Sequence, residues 1–159
     1  MTSVTRRYRF SASHRLHLHD LSEAENEQLY GKCNNPFGHG HDYVLDVTAQ
    51  GAADPATGQI VLRHELDRLV REQVLNVFEQ RNINLDVQQF RNSVPTTENI
   101  ALVIADLLRE HWSAYISSPA RLSRIHIQET ERNGFEILMP SAQETPEQRK
   151  KPELVEVHG

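Results

Sequence analysis

The sequence predicts an α+β fold: a four-stranded antiparallel sheet with two helices on one face. Three observations carry that prediction. Strand-like alternation fills the first third of the chain, two stripes with helical period occupy the middle, and two further strand-like runs joined by a turn follow. At 159 residues the chain has the length of one domain with a sizeable core.

The elements follow in order. From Arg7 to Leu16, aromatic and polar residues alternate around Tyr8, Phe10 and His14, as in a half-buried strand. Asp20 to Leu29 is polar and acidic, a surface loop or a short helix. Tyr43 to Thr48 reads as a second strand, and Asp54-Pro55-Ala56-Thr57-Gly58 as a turn. Between Arg63 and Phe78, Leu66, Leu69, Val70, Val74, Val77 and Phe78 form the stripe of an amphipathic helix. A second helix follows Pro95, with Thr97 as N-cap, Glu98 in the first turn where negative charge suits the dipole, and a buried face of Ile100, Ala101, Ile104, Leu107 and Leu108. Leu122 to Glu129 and Phe135 to Met139 make an antiparallel pair turning at Arg132-Asn133-Gly134. Beyond Pro140 the chain is rich in Glu, Gln, Lys and Pro without periodicity, which predicts a domain over 1–139 and a mobile polar tail over 140–159. Four strands with helices on one face leave sheet edges uncovered, which predicts an oligomer.

Composition narrows the function classes. The formal charge of -5 carries no nucleic-acid signature, and no apolar run approaches a membrane span. Met1 to Phe10 lacks the apolar core of a signal peptide. One cysteine makes no internal disulfide, so a reducing cytoplasm is the expected compartment.

The most informative stretch runs from Gly31 to Tyr43. It sets Cys33 six residues before His39-Gly40-His41, which leads into the second strand. Side chains two apart on a strand share a face, so His39 and His41 aim at one point. Two imidazoles begin a zinc site, and a catalytic zinc takes three protein ligands and an open position. His14 is the best-placed third ligand, with His17 and His19 as rivals. Cys33 is either a fourth ligand or a reactive thiol.

Phe10-Ser11-Ala12-Ser13-His14-Arg15-Leu16, the Gly31–Tyr43 stretch, Asp54 to Gly58, Pro95-Thr96-Thr97-Glu98-Asn99 and Gln128-Glu129-Thr130 together resemble the 6-pyruvoyl-tetrahydropterin synthase family in content and order. The likeness runs from about Tyr8 to about Met139 and is closer than that to the related carboxy-tetrahydropterin synthases. It implies the tunnelling fold, in which subunits join edge to edge into a barrel and stack as a homohexamer, a dimer of trimers. It implies zinc held by His14, His39 and His41, and a small-molecule pterin substrate, 7,8-dihydroneopterin triphosphate. It implies Cys33 as the base, Glu129 as the carboxylate that accepts the pterin's N–H edge, and Thr96, Thr97 and Glu98 around the ring. Active sites at subunit boundaries are implied as well.

One departure stands against this agreement. The family usually carries Asp-His-Lys/Arg-Asn-Leu after the first long helix, and this chain has Glu79-Gln80-Arg81-Asn82-Ile83. The family's proton relay therefore falls on Glu79 and Gln80, and an amide cannot accept and release a proton near neutral pH. Metal and pterin binding with reduced or diverted turnover is the expected consequence.

Overall fold

A computed structural model describes residues 2–141 and 153–156. Its longest pairing joins β1 (Thr2–His14) and β2 (His39–Gly51) antiparallel along their whole length, from Thr2 opposite Gly51 to His14 opposite His39. The alternation fixes that register. Phe10, Ala12 and His14 on β1 and Tyr43, Leu45, Val47 and Ala49 on β2 are buried on one face, and a slip of one residue would turn each set outward. The register sets His14 directly across from His39.

The segment between these strands reads its polar composition as a short helix, α1 (Glu23–Tyr30), opened by a capping box of Ser22 and Glu25. Asn26 is fully buried and bonds the Leu18 N–H and the carbonyls of Leu18, Leu21 and Ser22. A 3₁₀ turn, Gly31–Asn34, carries Cys33.

The first amphipathic stripe is α2 (Arg63–Val70), a π-helical turn (Arg71–Leu75) and α3 (Asn76–Phe78) in unbroken succession. After it come β3 (Arg81–Asn82), parallel to β1 at Ala12 and Ser13, and α4 (Ile83–Asp86). The long helix α5 is Thr97–Tyr115, and β4 (Arg121–Thr130) and β5 (Asn133–Leu138) complete the expected strands. The sheet order is β3-β1-β2-β4-β5-β6, where β6 (Glu153–Glu156) pairs with β5.

The core lies between the helices and one face of the sheet. Leu66, Leu69, Val70, Val74 and Phe78 meet Ile100, Ala101, Ile104 and Leu108, above Phe10, Tyr43, Leu45, Val47, Ile125, Ile127 and Ile137. Burying each large side chain contributes about 1.5–3 kcal/mol, which holds the helices to one face. The opposite face is polar: Arg7 grips Asp46 with two bonds of 2.8 and 2.9 Å, and Arg124 meets Glu136 at 2.7 Å.

Two sequence expectations are corrected. The N-cap of α5 is Thr96, whose hydroxyl accepts from Asn99 N–H, and Thr97 is the first helical residue and buried. The β4–β5 turn is Glu131-Arg132, because Thr130 already pairs with Asn133. Gly134 serves packing instead, since a Cβ there would lie 2.8 Å from His126 Nε2. The tail expected over 140–159 contains the strand β6, which adds to the open edge of β5; residues 142–152 and 157–159 lie outside the described residues.

Candidate metal centre and active site

The end of the β1–β2 pair gathers three imidazoles. Ligand atoms of His14, His39 and His41 all lie within 4.8 Å of one another, and among the described residues this is the cluster able to hold a metal ion. The ring centroids are 4.7, 5.1 and 4.6 Å apart. His17 and His19, the rivals for third ligand, pack on each other outside the cluster with centroids 5.1 Å apart.

His14 is fixed in one tautomer. Its Nδ1 lies 2.8 Å from the Pro95 carbonyl oxygen, which only accepts, so Nδ1 carries the hydrogen and Nε2 turns its lone pair inward. That Nε2 is 3.2 Å from Nε2 of His39. His41 Nε2 is buried with no hydrogen-bond partner, as is His39 Nδ1. Buried polar nitrogens are ordinarily paired, so a lone pair aimed inward beside an orphaned one is the donor set a divalent cation satisfies. The residues fit a metal.

Burial, with smaller contributions from the neighbouring His39 and His41, brings the His14 imidazole down to about 4 against the opposing Pro95 bond and Glu129. His39 is lowered too, by burial and then by His41. His14 and His39 are therefore neutral near pH 7, the form a metal needs. In metal-free protein the unfolded chain binds a proton at this histidine near pH 6.5 and the folded chain only near 4, so stability is full above pH 6.5 and falls between these values. We expect a loss of up to about 3 kcal/mol across that window, flattening below it, measurable by denaturant titration of chelator-treated protein.

Gly38 shapes the approach to His39. Its φ is +72°, and a Cβ would sit 3.0 Å from the His14 carbonyl oxygen. Gly38→Ala therefore combines backbone strain with pressure on a ligand-bearing strand, and we expect it to cost about 1–3 kcal/mol. Gly58, at φ +69° with open space around its Cβ position, is the control; Gly58→Ala loses less stability and no metal affinity in the same denaturation and metal titrations.

Glu129 borders the cluster. Its Oε1 lies 3.5 Å from His14 Nε2 and 3.6 Å from His41 Nε2, on a side chain only 10% exposed. A bulge explains its aim: Gln128 pairs with Gly134 and Thr130 with Asn133, so Glu129 is the unpaired extra residue. Its Oε2 accepts from Asn133 Nδ2 at 3.0 Å, and the same nitrogen reaches Thr97 Oγ1 at 3.3 Å. Thr96 and Thr97 thus start α5 next to Glu129, while Glu98 is exposed in the first turn.

Cys33 is half-buried, outside the ligand cluster, on a turn tied to β1's exit by Leu16 N–H bonding the Cys33 carbonyl at 2.8 Å. Burial pushes the thiol up, and the negative Glu129 pushes it the same way. Without a cation nearby it stays protonated.

Glu79 and Gln80 stand on the β1 edge. Glu79 Oε2 accepts from Ser11 N–H at 3.0 Å, Gln80 N–H donates to the Ser11 carbonyl at 2.7 Å, and the Gln80 amide donates to Glu79 Oε1 at 3.2 Å. Gln80 has φ of +57°, unusual for a residue with a side chain. It lines a cleft of about 330 Å³ with Ser11, Ser13, Asp42 and Asn82. Within one chain, the side-chain hydrogen bonds of these two residues go to each other and to Ser11, not to the histidine cluster.

Sequence reasoning missed three supporting residues. Pro95 acts through a carbonyl, which no side-chain motif reveals. The alternation marks Tyr43 only as a strand residue, yet its fully buried hydroxyl lies 3.5 Å from His14 Nδ1. The Asn-Gly pair marks Asn133 only as a turn residue.

The family model for 6-pyruvoyl tetrahydropterin synthase matches residues 3–139. The chain is 41% identical over 131 residues to the 6-pyruvoyl tetrahydrobiopterin synthase of Poecilia reticulata, covering 82% of this chain and 85% of that protein. It is 41% identical over 130 residues to the Homo sapiens protein of the same name, covering 82% and 86%. Among solved structures, the 6-pyruvoyl tetrahydropterin synthase of Caenorhabditis elegans superposes with a TM-score of 0.77 at 37% identity, covering 86% of this chain and 94% of that one. The Plasmodium falciparum 6-pyruvoyl tetrahydropterin synthase superposes at 0.56 with 15% identity, covering 85% and 95%, a likeness of fold. Among the described residues no helix is long and apolar enough to cross a membrane.

Proposed function

Because the chain belongs to the 6-pyruvoyl tetrahydropterin synthase family, we propose that it is a zinc-dependent lyase of pterin biosynthesis. In this reading it takes 7,8-dihydroneopterin triphosphate, releases triphosphate and rearranges the side chain to a pyruvoyl group. The observation that carries the reading is the three-histidine cluster, with His14 held by the Pro95 carbonyl in the tautomer that turns Nε2 inward.

His14, His39 and His41 would hold the zinc in this reading. A metal held there would supply stabilisation of negative charge developing on the substrate. Cys33 takes the proton from the side-chain carbon, and its raised thiol makes ionisation depend on the site being charged. Glu129 accepts the pterin's amino and ring N–H groups as paired, charge-assisted bonds. Thr96, Thr97 and Glu98 flank the ring. Glu79 supplies a carboxylate but Gln80 no imidazole, so turnover is slow.

The proposal includes a homohexamer formed through sheet edges, in a cytoplasmic setting that suits the lone thiol. The outer edge of β1 supports it, since β3 pairs only with Ala12 and Ser13. β6 lies on β5, so joining through that edge requires β6 to yield.

A second reading has one observation in its favour: the amide of Gln80 is spent on Glu79. It is the same pocket with side-chain cleavage to a carboxypterin, or with pterin binding and no turnover. Mass analysis of the products from zinc-loaded protein and 7,8-dihydroneopterin triphosphate decides. A pyruvoyl-pterin with free triphosphate supports the lyase; a carboxypterin, or unchanged substrate, moves the assignment to the second reading.

A further inference from the structure

We propose that Asn133 is a positioning residue that sets the orientation of the Glu129 carboxylate by tying it to the start of α5. The inference rests on the reading of Glu129 as the pterin's acceptor. Asn133 Nδ2 has two hydrogens and two acceptors in reach, Glu129 Oε2 at 3.0 Å and Thr97 Oγ1 at 3.3 Å. The Glu129 carboxylate only accepts, which fixes the amide with nitrogen toward the site, and the Thr97 hydroxyl takes the second hydrogen.

The bridge answers a geometric need. Glu129 is the extra residue of a bulge, so the ladder does not hold its backbone as it holds its neighbours. A glutamate side chain at such a place has several torsions free, and a carboxylate that must accept two parallel N–H bonds needs one plane. Thr97 is a firm anchor: it is 4% exposed, in the first turn of a 19-residue helix. The anchor and the metal ligand share a support, because Pro95, two residues before Thr97, holds His14. The segment 95–97 therefore sets the acceptor and the ligand cluster in one frame. With Oε2 engaged by Asn133, Oε1 is the oxygen turned toward His14 and His41.

The test is a double-mutant cycle on the full chain loaded with zinc, reading neopterin affinity by fluorescence beside zinc content and Tm. Glu129→Gln weakens neopterin binding, and Asn133→Ala weakens it about tenfold, the scale of a hydrogen bond to a charged group. Both keep their zinc. In the Glu129→Gln background Asn133→Ala adds nothing, because it acts through the carboxylate. Asn133→Asp sets a second carboxylate against Glu129 and weakens binding further. Thr97→Val removes the anchor's acceptor and shifts affinity in the same direction. An equal penalty for Asn133→Ala in both backgrounds would mean the hairpin is simply loosened, and overturns the proposal. Full affinity in Asn133→Ala while Glu129→Gln binds poorly overturns it and leaves the pterin reading standing. Full affinity in Glu129→Gln removes the pterin reading, and the proposal with it.

Discussion

We expect His41→Ala to abolish metal binding: zinc retained after desalting falls from the parent's level toward zero, and the proposed turnover falls with it. Losing a group that merely orients a ligand costs about 10–100-fold in metal affinity, and losing a ligand itself costs more. His41 is the informative choice of the three. His14 is 1% exposed and donates to Pro95, so His14→Ala would also open the core and strand a carbonyl. The His41 Nε2 has no hydrogen-bond partner to lose. Metal-free His41→Ala should therefore unfold at or above the temperature of the metal-free parent, while the rise in Tm that zinc gives the parent disappears. Metal analysis and thermal unfolding with and without zinc check both halves. A variant that keeps its zinc and its zinc-dependent Tm would remove His41 from the ligand set.

Under the lyase reading, we expect Cys33→Ala to leave zinc and neopterin binding intact and to lower kcat by about 10²–10⁴-fold, the range for a lost general acid or base. The thiol stands outside the ligand cluster, so its removal does not disturb the metal. Gln80→His is the complementary change. If Gln80 is what limits proton transfer, the new imidazole raises kcat over the parent in the Cys33 protein and has no effect in Cys33→Ala. Single-turnover measurements across pH 6–9 separate the cases. The parent profile should rise as the thiol ionises, at a pH lowered by bound metal relative to the burial-raised thiol of the metal-free chain. A Cys33→Ala protein as fast as the parent would exclude the thiol from the reaction.

The cluster was legible because it depends on two periodicities. His39 and His41 are two apart on a strand, and the alternation that buries Phe10 and Ala12 buries His14 on the same face. Two helical stripes with Leu66, Leu69 and Val70, and with Ile100, Ala101 and Ile104, likewise announced the helices that cover the sheet. What alternation cannot show is where it breaks. The bulge at Glu129 moved the β4–β5 turn to Glu131-Arg132 and turned Asn133 from a turn residue into a side chain of the site. The pattern points to Thr97 as the cap of α5, but the backbone is still extended at Thr96, which makes Thr96 the cap. The short strands β3 and β6 have too few residues for any period, and their pairing is decided by which edges stand open. Gln80's backbone follows from its N–H bond to the Ser11 carbonyl, a contact between residues far apart in sequence.

The first backbone bond of α5 runs from Ile100 N–H to the Thr96 carbonyl, one residue past Pro95. Had the helix begun one residue earlier, the Pro95 carbonyl would have taken Asn99 N–H as its helical partner, in competition with His14. The imidazole would then have been free to exchange its two nitrogens, and the cluster would lose the one ligand whose protonation is settled before any metal arrives. The phase of a helix that contributes no ligand thus acts as the site's chemical address: it determines which atom of a residue some eighty positions upstream faces the cavity. A single inserted or deleted residue at that junction could spare every strand and every histidine and still rewrite the coordination chemistry.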